Sequence, residues 1–338
     1  MRSAALGLLG LLSGCGPGGV SPSLQPIASP SPGAVDLGAT TVLDLVWPQA
    51  DLLIGTRRIP GTQPVRRELV TIDRATGTTA TIEIVGPPEC PSIDAMMPRV
   101  IDGELVFDRY CYPGPSTPIA GYHELLTLPL DGGQPVSLAR VPWFPESEVR
   151  LDGGAWLASF DSGLCAWIEL VPDTGEPPFA WPLQVTDDGE PFAVNVAALG
   201  DTCDEAPLAS SIAGGPAGAL AFLASGAARD VSGFGRLDLA VNLYRREPDG
   251  TIRRLAAGLV HAGGLVWRPG TDVLTAYATI EGRAGIWTFD PDGTRRLIYE
   301  GRLLNFAWSP DGLSLAVIVP TGAIDDADPA RRLEILSP

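Results

Sequence analysis

Histidine, the side chain that most often acts as a general base or a zinc ligand, occurs only twice in this chain of 338 residues. His123 and His261 lie far apart in sequence, whereas a zinc site normally needs three or four His, Cys or carboxylate ligands. The sequence contains no G-x-S-x-G motif, which would mark a nucleophilic serine. We therefore predict that the protein is not an enzyme and that it holds no metal and no cofactor.

Three acidic patterns have side chains that suit a hard cation such as calcium. They are Asp290-x-Asp292-Gly293, Asp325-Asp326-x-Asp328 and Asp201-x-x-Asp204-Glu205. The first lacks the later ligands of an EF-hand loop and stands where a turn recurs along the chain, so we interpret it as a turn. We expect the other two to be solvated loop charge, with a bound cation as the alternative.

The amino terminus carries a short apolar segment, Ala4–Leu12, which ends in Leu12-Ser13-Gly14-Cys15. This pattern resembles the lipobox of bacterial lipoproteins, and an ordinary secretory signal is the alternative. The resemblance implies that residues 1–14 are a signal peptide and that Cys15 carries the lipid chains. The mature protein would then be held at the extracytoplasmic side of a cell-envelope membrane by its lipid alone. Residues 15–34 are uncharged and rich in Gly, Pro and Ser, which predicts a disordered tether.

The rest of the chain has the composition of many short strands joined by turns. Glycine (40) and proline (33) are abundant, and both break helix interiors, while 45% of the residues are hydrophobic. One turn signature recurs at Pro48–Asp51, Asp102–Glu104, Asp152–Gly154, Gly215–Gly218, Pro269 and Pro310. A second recurs at Asp73–Gly77, Asp131–Gly133, Asp173–Gly175, Asp249–Gly250 and Asp292–Gly293. Repeats of about 40–60 residues are typical of one four-stranded unit each.

The final repeat, Phe306–Val319 (FAWSPDGLSLAVIV), and its echo from Leu265 resemble the WD40-like repeat of TolB-type β-propellers. The resemblance implies one all-β domain, residues 35–338, built as a β-propeller, and the six copies of the first turn signature predict six blades. The last repeat has only three strands, so we predict that Val35–Gly38 supplies the fourth strand and closes the ring. Asp187-Asp188-Gly189 is a further possible hairpin turn within Thr186–Ile212, which keeps seven blades as the alternative.

Four cysteines remain besides Cys15, namely Cys90, Cys111, Cys165 and Cys203. In a propeller, the loops after the second and fourth strands of each blade lie on one face. We place all four cysteines on that face, in two neighbouring pairs. We therefore predict the disulfides Cys90–Cys111 and Cys165–Cys203, each contributing about 2–4 kcal/mol, with four free thiols as the alternative.

The same face, the loop-rich face, is expected to carry the long loops Thr56–Arg67, Asp108–His123, Thr186–Ala209, Gly226–Leu237 and Pro320–Arg332. The opposite face, the tight-turn face, is expected to have only short turns. Because long loops on a rigid scaffold commonly carry recognition, we expect binding on the loop-rich face, at the mouth of the central channel.

Charge and the remaining aromatic residues complete the interpretation. A formal net charge of −17 argues against nucleic-acid partners, since their affinity depends on neutralising phosphates.

The arginine pairs Arg245-Arg246, Arg253-Arg254 and Arg295-Arg296 are expected on outward strands, where charge discourages edge-to-edge association. Trp47, Trp267 and Trp308 share one repeat position, and we expect them in the core between blades.

We therefore predict a monomeric, lipid-anchored β-propeller at the cell envelope that acts as a protein- or peptide-binding or scaffolding module. One alternative is a propeller enzyme of lactonase or sugar-dehydrogenase type with a metal or quinone in its channel. The other is a glycan-binding module.

Overall fold

The computed structural model describes residues 34–62, 65–88, 90, 92–112, 121–130, 133–141, 144–150, 156–161, 166–171, 179–180, 184–187, 190–193, 208–225, 240–321 and 330–338. Several predictions lie outside these residues. They concern the signal peptide with Cys15, residues 15–33 of the tether, Cys165 and Cys203, the loop Gly226–Leu237, the acidic clusters at residues 201–205 and 325–328, the turns Asp152–Gly154 and Asp173–Gly175, and the turn residues Asp131, Gly132, Asp188 and Gly189. For the strands between residues 144 and 193, the structure describes the backbone but few side chains.

The described part of the chain is all-β, and its one helical element is a single 3-10 turn, Pro216–Gly218. The strands of its first half are β1 (Val35–Thr40), β2 (Val42–Gln49), β3 (Leu52–Arg58), β4 (Arg67–Asp73), β5 (Thr79–Thr81), β6 (Ser92–Ile101), β7 (Glu104–Tyr112), β8 (Tyr122–Pro129), β9 (Val136–Val141), β10 (Phe144–Arg150), β11 (Trp156–Asp161), β12 (Ala166–Val171) and β13 (Phe179–Ala180). Those of the second half are β14 (Gln184–Asp187), β15 (Glu190–Ala193), β16 (Leu208–Gly214), β17 (Leu220–Ser225), β18 (Val241–Arg246), β19 (Ile252–Trp267), β20 (Leu274–Ile280), β21 (Arg283–Phe289), β22 (Arg295–Glu300), β23 (Asn305–Trp308), β24 (Leu315–Pro320) and β25 (Arg331–Leu336).

The strands form antiparallel sheets in which neighbours along the chain pair. The first sheet is β2–β5, the second β6–β9 and the third β10–β13. β16–β22 are joined through the long strand β19, which pairs with β18 up to Leu259 and with β20 from Val260 onward. We call β16, β17, β18 and the first half of β19 the fourth sheet. The second half of β19 with β20, β21 and β22 is the fifth sheet.

The last sheet combines the two ends of the described chain. Its strand order is β1-β25-β24-β23, and β1 pairs antiparallel with β25 through Val35↔Ile335 and Thr40↔Arg331. The predicted segment Val35–Gly38 therefore takes the fourth position in the sheet of the final repeat. A separate two-stranded sheet pairs β14 with β15 and has Asp187 opposite Glu190, while Asp188 and Gly189 of the possible turn lie outside the described residues.

The turn residues explain where strands end. Between β23 and β24 the chain reverses at Ser309–Ser314, where Gly312 has φ of +68° and donates its N–H to the Ser309 carbonyl at 2.8 Å. A glycine suits this left-handed conformation because it has no Cβ. Asp311 Oδ1 accepts the Leu313 N–H at 2.9 Å, so a side-chain hydrogen bond also stabilises the turn. The first-turn signatures at Pro48–Asp51, Asp102–Glu104, Gly215–Gly218, Pro269 and Pro310 are confirmed.

The second-turn signature has the same physical basis. Asp292 Oδ1 accepts the Thr294 N–H at 2.8 Å, and this bond, as the largest cause, lowers the pKa of Asp292. Gly293 donates to the Asp290 carbonyl at 2.9 Å with φ of +87°. The pattern Asp290-x-Asp292-Gly293 is thus a hairpin turn between β21 and β22, as predicted.

We call the strand that opens each repeat its first strand, namely β2, β6, β10, β16, β19 and β23. These first strands pack against one another in chain order. β2 contacts β6, β6 contacts β10, β10 contacts β16, β16 contacts β19, β19 contacts β23, and β23 contacts β2. Apolar side chains fill the space between neighbouring sheets. Between the first and last sheets, for example, Val42, Leu53 and Val70 form one buried cluster with Ala316 and Ile318.

Several predicted boundaries are wrong because the strands reach further than their apolar cores. Cys111 lies inside β7, which continues to Tyr112, and Tyr112 pairs with Ser92. The loop predicted at Asp108–His123 loses Asp108–Tyr112 to β7 and Tyr122–His123 to β8. The other expected loops shorten in the same way, with Thr56–Arg58 in β3, Arg67 in β4, Leu208–Ala209 in β16, Pro320 in β24 and Arg331–Arg332 in β25.

Candidate functional site: the central cavity

A cavity of about 1270 Å³ is lined by the first strands of all the sheets defined above. Its wall includes Leu45, Val100, Val149, Ile212, Val266 and Phe306, one from each of β2, β6, β10, β16, β19 and β23. The wall extends from Asp44 and Leu303 down to the first turns, where Pro48, Pro269 and Pro310 line it. The cavity therefore reaches the tight-turn face, although the sequence led us to expect binding on the loop-rich face.

β-Bulges interrupt the first strands at the cavity wall. The pairing register shifts by one residue between Met96 and Arg99 in β6, between Ser210 and Ile212 in β16, and between Val260 and Gly263 in β19. β2 shifts between Val42 and Leu45 in the same way. A bulge leaves its extra residue outside the ladder, bends the strand and re-aims side chains.

Three bulges carry a residue other than glycine at positive φ. Met97 (48°), Ser211 (49°) and His261 (53°) all line the cavity. Such conformations are uncommon for residues with a Cβ, and they concentrate at functional sites. The strained backbone of the first strands therefore coincides with the cavity wall.

The charged side chains of the wall are three arginines and two aspartates. Arg99, Arg150 and Arg246 line the cavity, together with Asp44 and Asp102. Asp44 Oδ2 accepts the Thr56 hydroxyl at 2.7 Å, and Thr56 is fully buried. The imidazole of His261 lies on the wall as well, with its Nδ1 at 3.5 Å from the Thr279 hydroxyl.

A groove of about 520 Å³ adjoins the cavity on the tight-turn face, between the first turns of the fourth and fifth sheets. Arg245, Trp267, Arg268 and Asp272 line it. Arg245 donates to both carboxylate oxygens of Asp272 at 2.8 and 3.0 Å and lies 5.1 Å from the ring centre of Trp267. Glycine is required at Gly215, because a Cβ there would run into the Trp267 indole.

Two predictions about outward arginines are wrong. Arg245 is buried and paired, since the carboxylates of Asp272 and Glu247 and the Trp267 ring surround its guanidinium. Arg246 lines the cavity instead of facing outward, because it ends β18 beside the first turns. Arg295 and Arg296 are exposed on β22, as expected.

The tryptophans of the repeats are core residues, as predicted. Trp47, Trp267 and Trp308 are 5%, 8% and 4% exposed. The Trp308 indole donates to the Thr275 hydroxyl at 3.0 Å, and the Trp267 indole donates to the Ala213 carbonyl at 3.3 Å, so each connects its sheet to the preceding one.

The second sheet pairs two titratable groups that the sequence did not bring together, the buried Asp108 and the partly buried His123. His123 Nδ1 lies 2.8 Å from Asp108 Oδ2, and the Asp108 side chain is fully buried. Burial raises the pKa of Asp108, and the hydrogen bond from His123 opposes that rise. The other carboxylate oxygen, Asp108 Oδ1, is buried without a hydrogen-bond partner in the described structure. His123 was the sequence signal, but nothing along the chain showed that its partner is buried.

Beside this pair, the structure joins Cys90 and Cys111 in a disulfide with a Cα–Cα distance of 5.3 Å. Cys90 Sγ also lies 3.4 Å from the Tyr122 hydroxyl. The bond ties the segment entering the second sheet to β7. The other predicted pair, Cys165–Cys203, lies outside the described residues.

Within the described ranges, the structure contains no group of three or more His, Cys, Asp or Glu side chains that could hold a metal ion. The same ranges include no helix long and apolar enough to cross a membrane.

Comparison with known proteins identifies the class of fold. No protein-family model matches the chain, and no curated protein does. Among solved structures, the α-L-arabinanase of Penicillium chrysogenum, complexed with arabinobiose, is 13% identical with a TM-score of 0.50, over 90% of this chain and 98% of that one.

Two further similarities concern a propeller domain and a TolB. The β-propeller domain of the Trilobed protease from Pyrococcus furiosus is 11% identical with a TM-score of 0.45, over 88% of this chain and 93% of that one. The putative TolB from Agrobacterium tumefaciens is 15% identical with a TM-score of 0.43, over 79% and 83%. The chain has a β-propeller fold. Because the sequence identities are only 11–15%, these similarities show the fold and say nothing about function.

Proposed function

We propose that this protein is a six-bladed β-propeller, anchored by a lipid on Cys15 to the extracytoplasmic side of a cell-envelope membrane, that binds a protein or peptide partner in its central cavity. Six blades agree with the order in which the first strands contact each other, from β2 through β23 and back to β2. The pairing of β1 with β25 supports closure of the ring by the amino-terminal strand. The anchor is proposed from the lipobox pattern.

The observation that carries the binding function is the cavity itself. Its volume of about 1270 Å³ exceeds the 300–1,000 Å³ that is usual for small-molecule pockets. Its wall is made of first strands whose bulges place main-chain groups outside the sheet ladders. An extended peptide segment, which needs both length and main-chain hydrogen-bond partners, suits such a cavity.

A carbohydrate ligand is the second candidate. The α-L-arabinanase that has a similar fold was solved with arabinobiose, and this observation favours testing the glycan-binding alternative. Peptide and carbohydrate therefore have to be tested in the same experiment.

A photo-crosslinking amino acid at Leu304, which lines the cavity and is 39% exposed, tests the proposal in the native host. Leu313, 64% exposed in the turn between β23 and β24, is the matched control outside the described wall. We expect a discrete protein adduct from position 304 and none from position 313. Adducts of equal yield at both positions, or a cavity ligand that is a glycan, would contradict the peptide proposal.

The anchor needs a separate experiment. We expect radiolabelled palmitate to be incorporated into the wild-type protein but not into Cys15→Ala, and the unlabelled variant to leave the membrane fraction. Incorporation into Cys15→Ala would show that the lipid is attached elsewhere.

A further inference from the structure

The first strands share one position that their pairing defines. In five of them, a residue pairs with a leucine that is first or second in the next strand, namely Val100–Leu105, Val149–Leu157, Gly214–Leu220, Trp267–Leu274 and Trp308–Leu315. Trp47 takes this place in β2, since it shares the repeat position of the other two tryptophans. Three residues earlier lies what we call the ring position, occupied by Asp44, Met97, Glu146, Ser211, Gly264 and Asn305.

The ring position is one level of the cavity wall. The side chain of Glu146 lies outside the described residues, and the other five members all line the cavity. Met97, Ser211 and Gly264 have φ of 48°, 49° and 62°, and each lies in a bulge of its strand. Three sheets therefore hold the same left-handed backbone at the same level, and such conformations concentrate at functional sites.

Three ring members have side-chain polar groups that the protein itself does not use. Asp44 accepts the Thr56 hydroxyl on Oδ2 at 2.7 Å, while its Oδ1 has no partner in the described structure. The Ser211 hydroxyl and the Asn305 carboxamide have no hydrogen bond there either. All three residues are half-buried on the cavity wall. Polar groups in such a place are satisfied by water or by a ligand, so they are available to an occupant of the cavity.

Asp44 is also a carboxylate without a cation. The basic residues of the described wall interact with groups other than Asp44, and they are Arg99, Arg150, Arg246 and His261. A carboxylate on a concave wall attracts a cation more strongly than one on an open surface, because the cavity focuses its field. A metal ion is a poor match, since the described residues place no two further His, Cys, Asp or Glu side chains beside Asp44.

We infer that Asp44 binds a primary ammonium group of the peptide partner, and that Asn305 and Ser211 hydrogen-bond the peptide groups beside it. β2 packs against β23, which makes Asp44 and Asn305 neighbours at the ring position. β16 is three contacts away from β2 in either direction, so Ser211 lies across the cavity from them.

The geometry of Asp44 favours an ammonium group over a guanidinium. Thr56 already uses one carboxylate oxygen, whereas an arginine binds best when its planar fork pairs with both. An ammonium group is compact and makes its charge-assisted hydrogen bond to the single open oxygen. The inference rests on the proposed peptide-binding function and adds to it the chemical group that is recognised. That group can be the amino terminus of the partner or a lysine side chain, and the experiment separates these sources.

The test compares four peptides of equal length and background, labelled at the carboxyl end, by fluorescence anisotropy on the purified full chain. One has a free amino terminus, and the other three are N-acetylated and contain no basic residue, one lysine or one arginine. We expect the free amino terminus or the lysine to strengthen binding about tenfold over the uncharged peptide, as a charge-assisted hydrogen bond does. The arginine peptide should bind more weakly than the better ammonium peptide. Which ammonium peptide binds more tightly identifies the source.

Two variants with the same change in charge locate the recognition. Asp44→Asn keeps the size of the side chain and an acceptor for the Thr56 hydroxyl, but it removes the charge. It should weaken the ammonium peptide about tenfold and leave the uncharged peptide unchanged, which also shows that the variant is folded. Asp102→Asn removes a carboxylate from the turn after β6, on the same cavity wall but outside the ring position, and should leave both unchanged.

Each other result overturns the inference. It fails if the uncharged or the arginine peptide binds as tightly as the ammonium peptides, or if no peptide binds. It also fails if Asp44→Asn and Asp102→Asn weaken binding equally, since the wall would then attract cations without a particular site. Peptide binding as such survives these results while the adduct at position 304 is obtained. Loss of that adduct would instead contradict the proposed function, so the two failures are distinguishable.

Discussion

The second sheet and the last sheet have the same four-stranded plan, but their central strands differ in the charge that they bury. In the last sheet, the five residues Leu315–Val319 of β24 are all apolar and at most 4% exposed, and the buried charges, Arg331 and Glu334, lie in β25. In the second sheet, β6, β7 and β8 bury Asp94, Asp108, Arg109 and Glu124 at 6% exposure or less. Repeats of one ancestral pattern therefore tolerate very different cores, provided that every buried charge meets a partner or is neutralised.

The two interiors should respond to different perturbations. Strand β24 of the last sheet depends on the transfer of apolar surface out of water, which is insensitive to pH and not directional. The second sheet depends on particular pairs, such as the Arg109 guanidinium on Glu124 Oε2, with Ser137 donating to the other carboxylate oxygen at 2.6 Å. Removing one member of such a pair leaves an uncompensated buried charge, which costs more than the pair itself contributes.

The largest effect is expected for Arg109→Met in the second sheet. The substitution keeps much of the side-chain volume but leaves Glu124 charged and buried, so the free energy of unfolding should fall by about 3–5 kcal/mol. Urea unfolding followed by tryptophan fluorescence measures it. The double variant Arg109→Met/Glu124→Leu removes both charges and should recover most of the loss. A double variant as unstable as the single one would show that the charges are not the cause.

In the last sheet, Leu315→Ala should cost about 3 kcal/mol, since Leu315 is fully buried and the site cannot collapse around the lost atoms. Its loss should be the same at pH 5 and pH 8 in the same urea assay. A pH-dependent loss would mean that the two sheets are energetically coupled and that the comparison between them fails.

Asp108→Asn should show the smallest effect, and one that depends on pH. Because burial raises the pKa of Asp108 above that of the unfolded chain, the folded protein binds this proton more tightly than the unfolded chain does. The stability that this protonated carboxyl contributes is fully present below the ordinary pKa of 3.8 and is lost as pH rises through the folded pKa. Between pH 3 and pH 6, the stability of the wild type should therefore fall relative to that of Asp108→Asn, as measured by urea unfolding at each pH. A relative rise would show that His123 holds the carboxylate ionised.

Local signals in the sequence predicted the positions of strands and turns well. Asp-Gly turns such as Asp292-Gly293 and the tryptophans Trp267 and Trp308 lie where the repeats placed them, because a turn depends on its own few residues. The final repeat has only three strands of its own, and this count predicted the pairing of Val35–Gly38 with the final strand.

The site was predicted poorly because its residues come from different repeats. No local pattern shows that Arg99, Arg150 and Arg246 share one cavity. Arg150 carried a signal that was overlooked, since it ends β10 where tryptophan ends β19 and β23. The acid–base pair Asp108–His123 was hidden for a related reason: whether Asp108 is buried depends on the neighbouring strands, not on its own.

The pairing of β1 with β25 has a consequence for biogenesis. β1 lies at one end of the described chain and its partner Arg331–Leu336 lies at the other, so translation produces β1 long before the strand with which it pairs. The last sheet can therefore be completed only after Arg331–Leu336 has been made, and until then the hydrophobic strand β24 has an unpaired edge on that side.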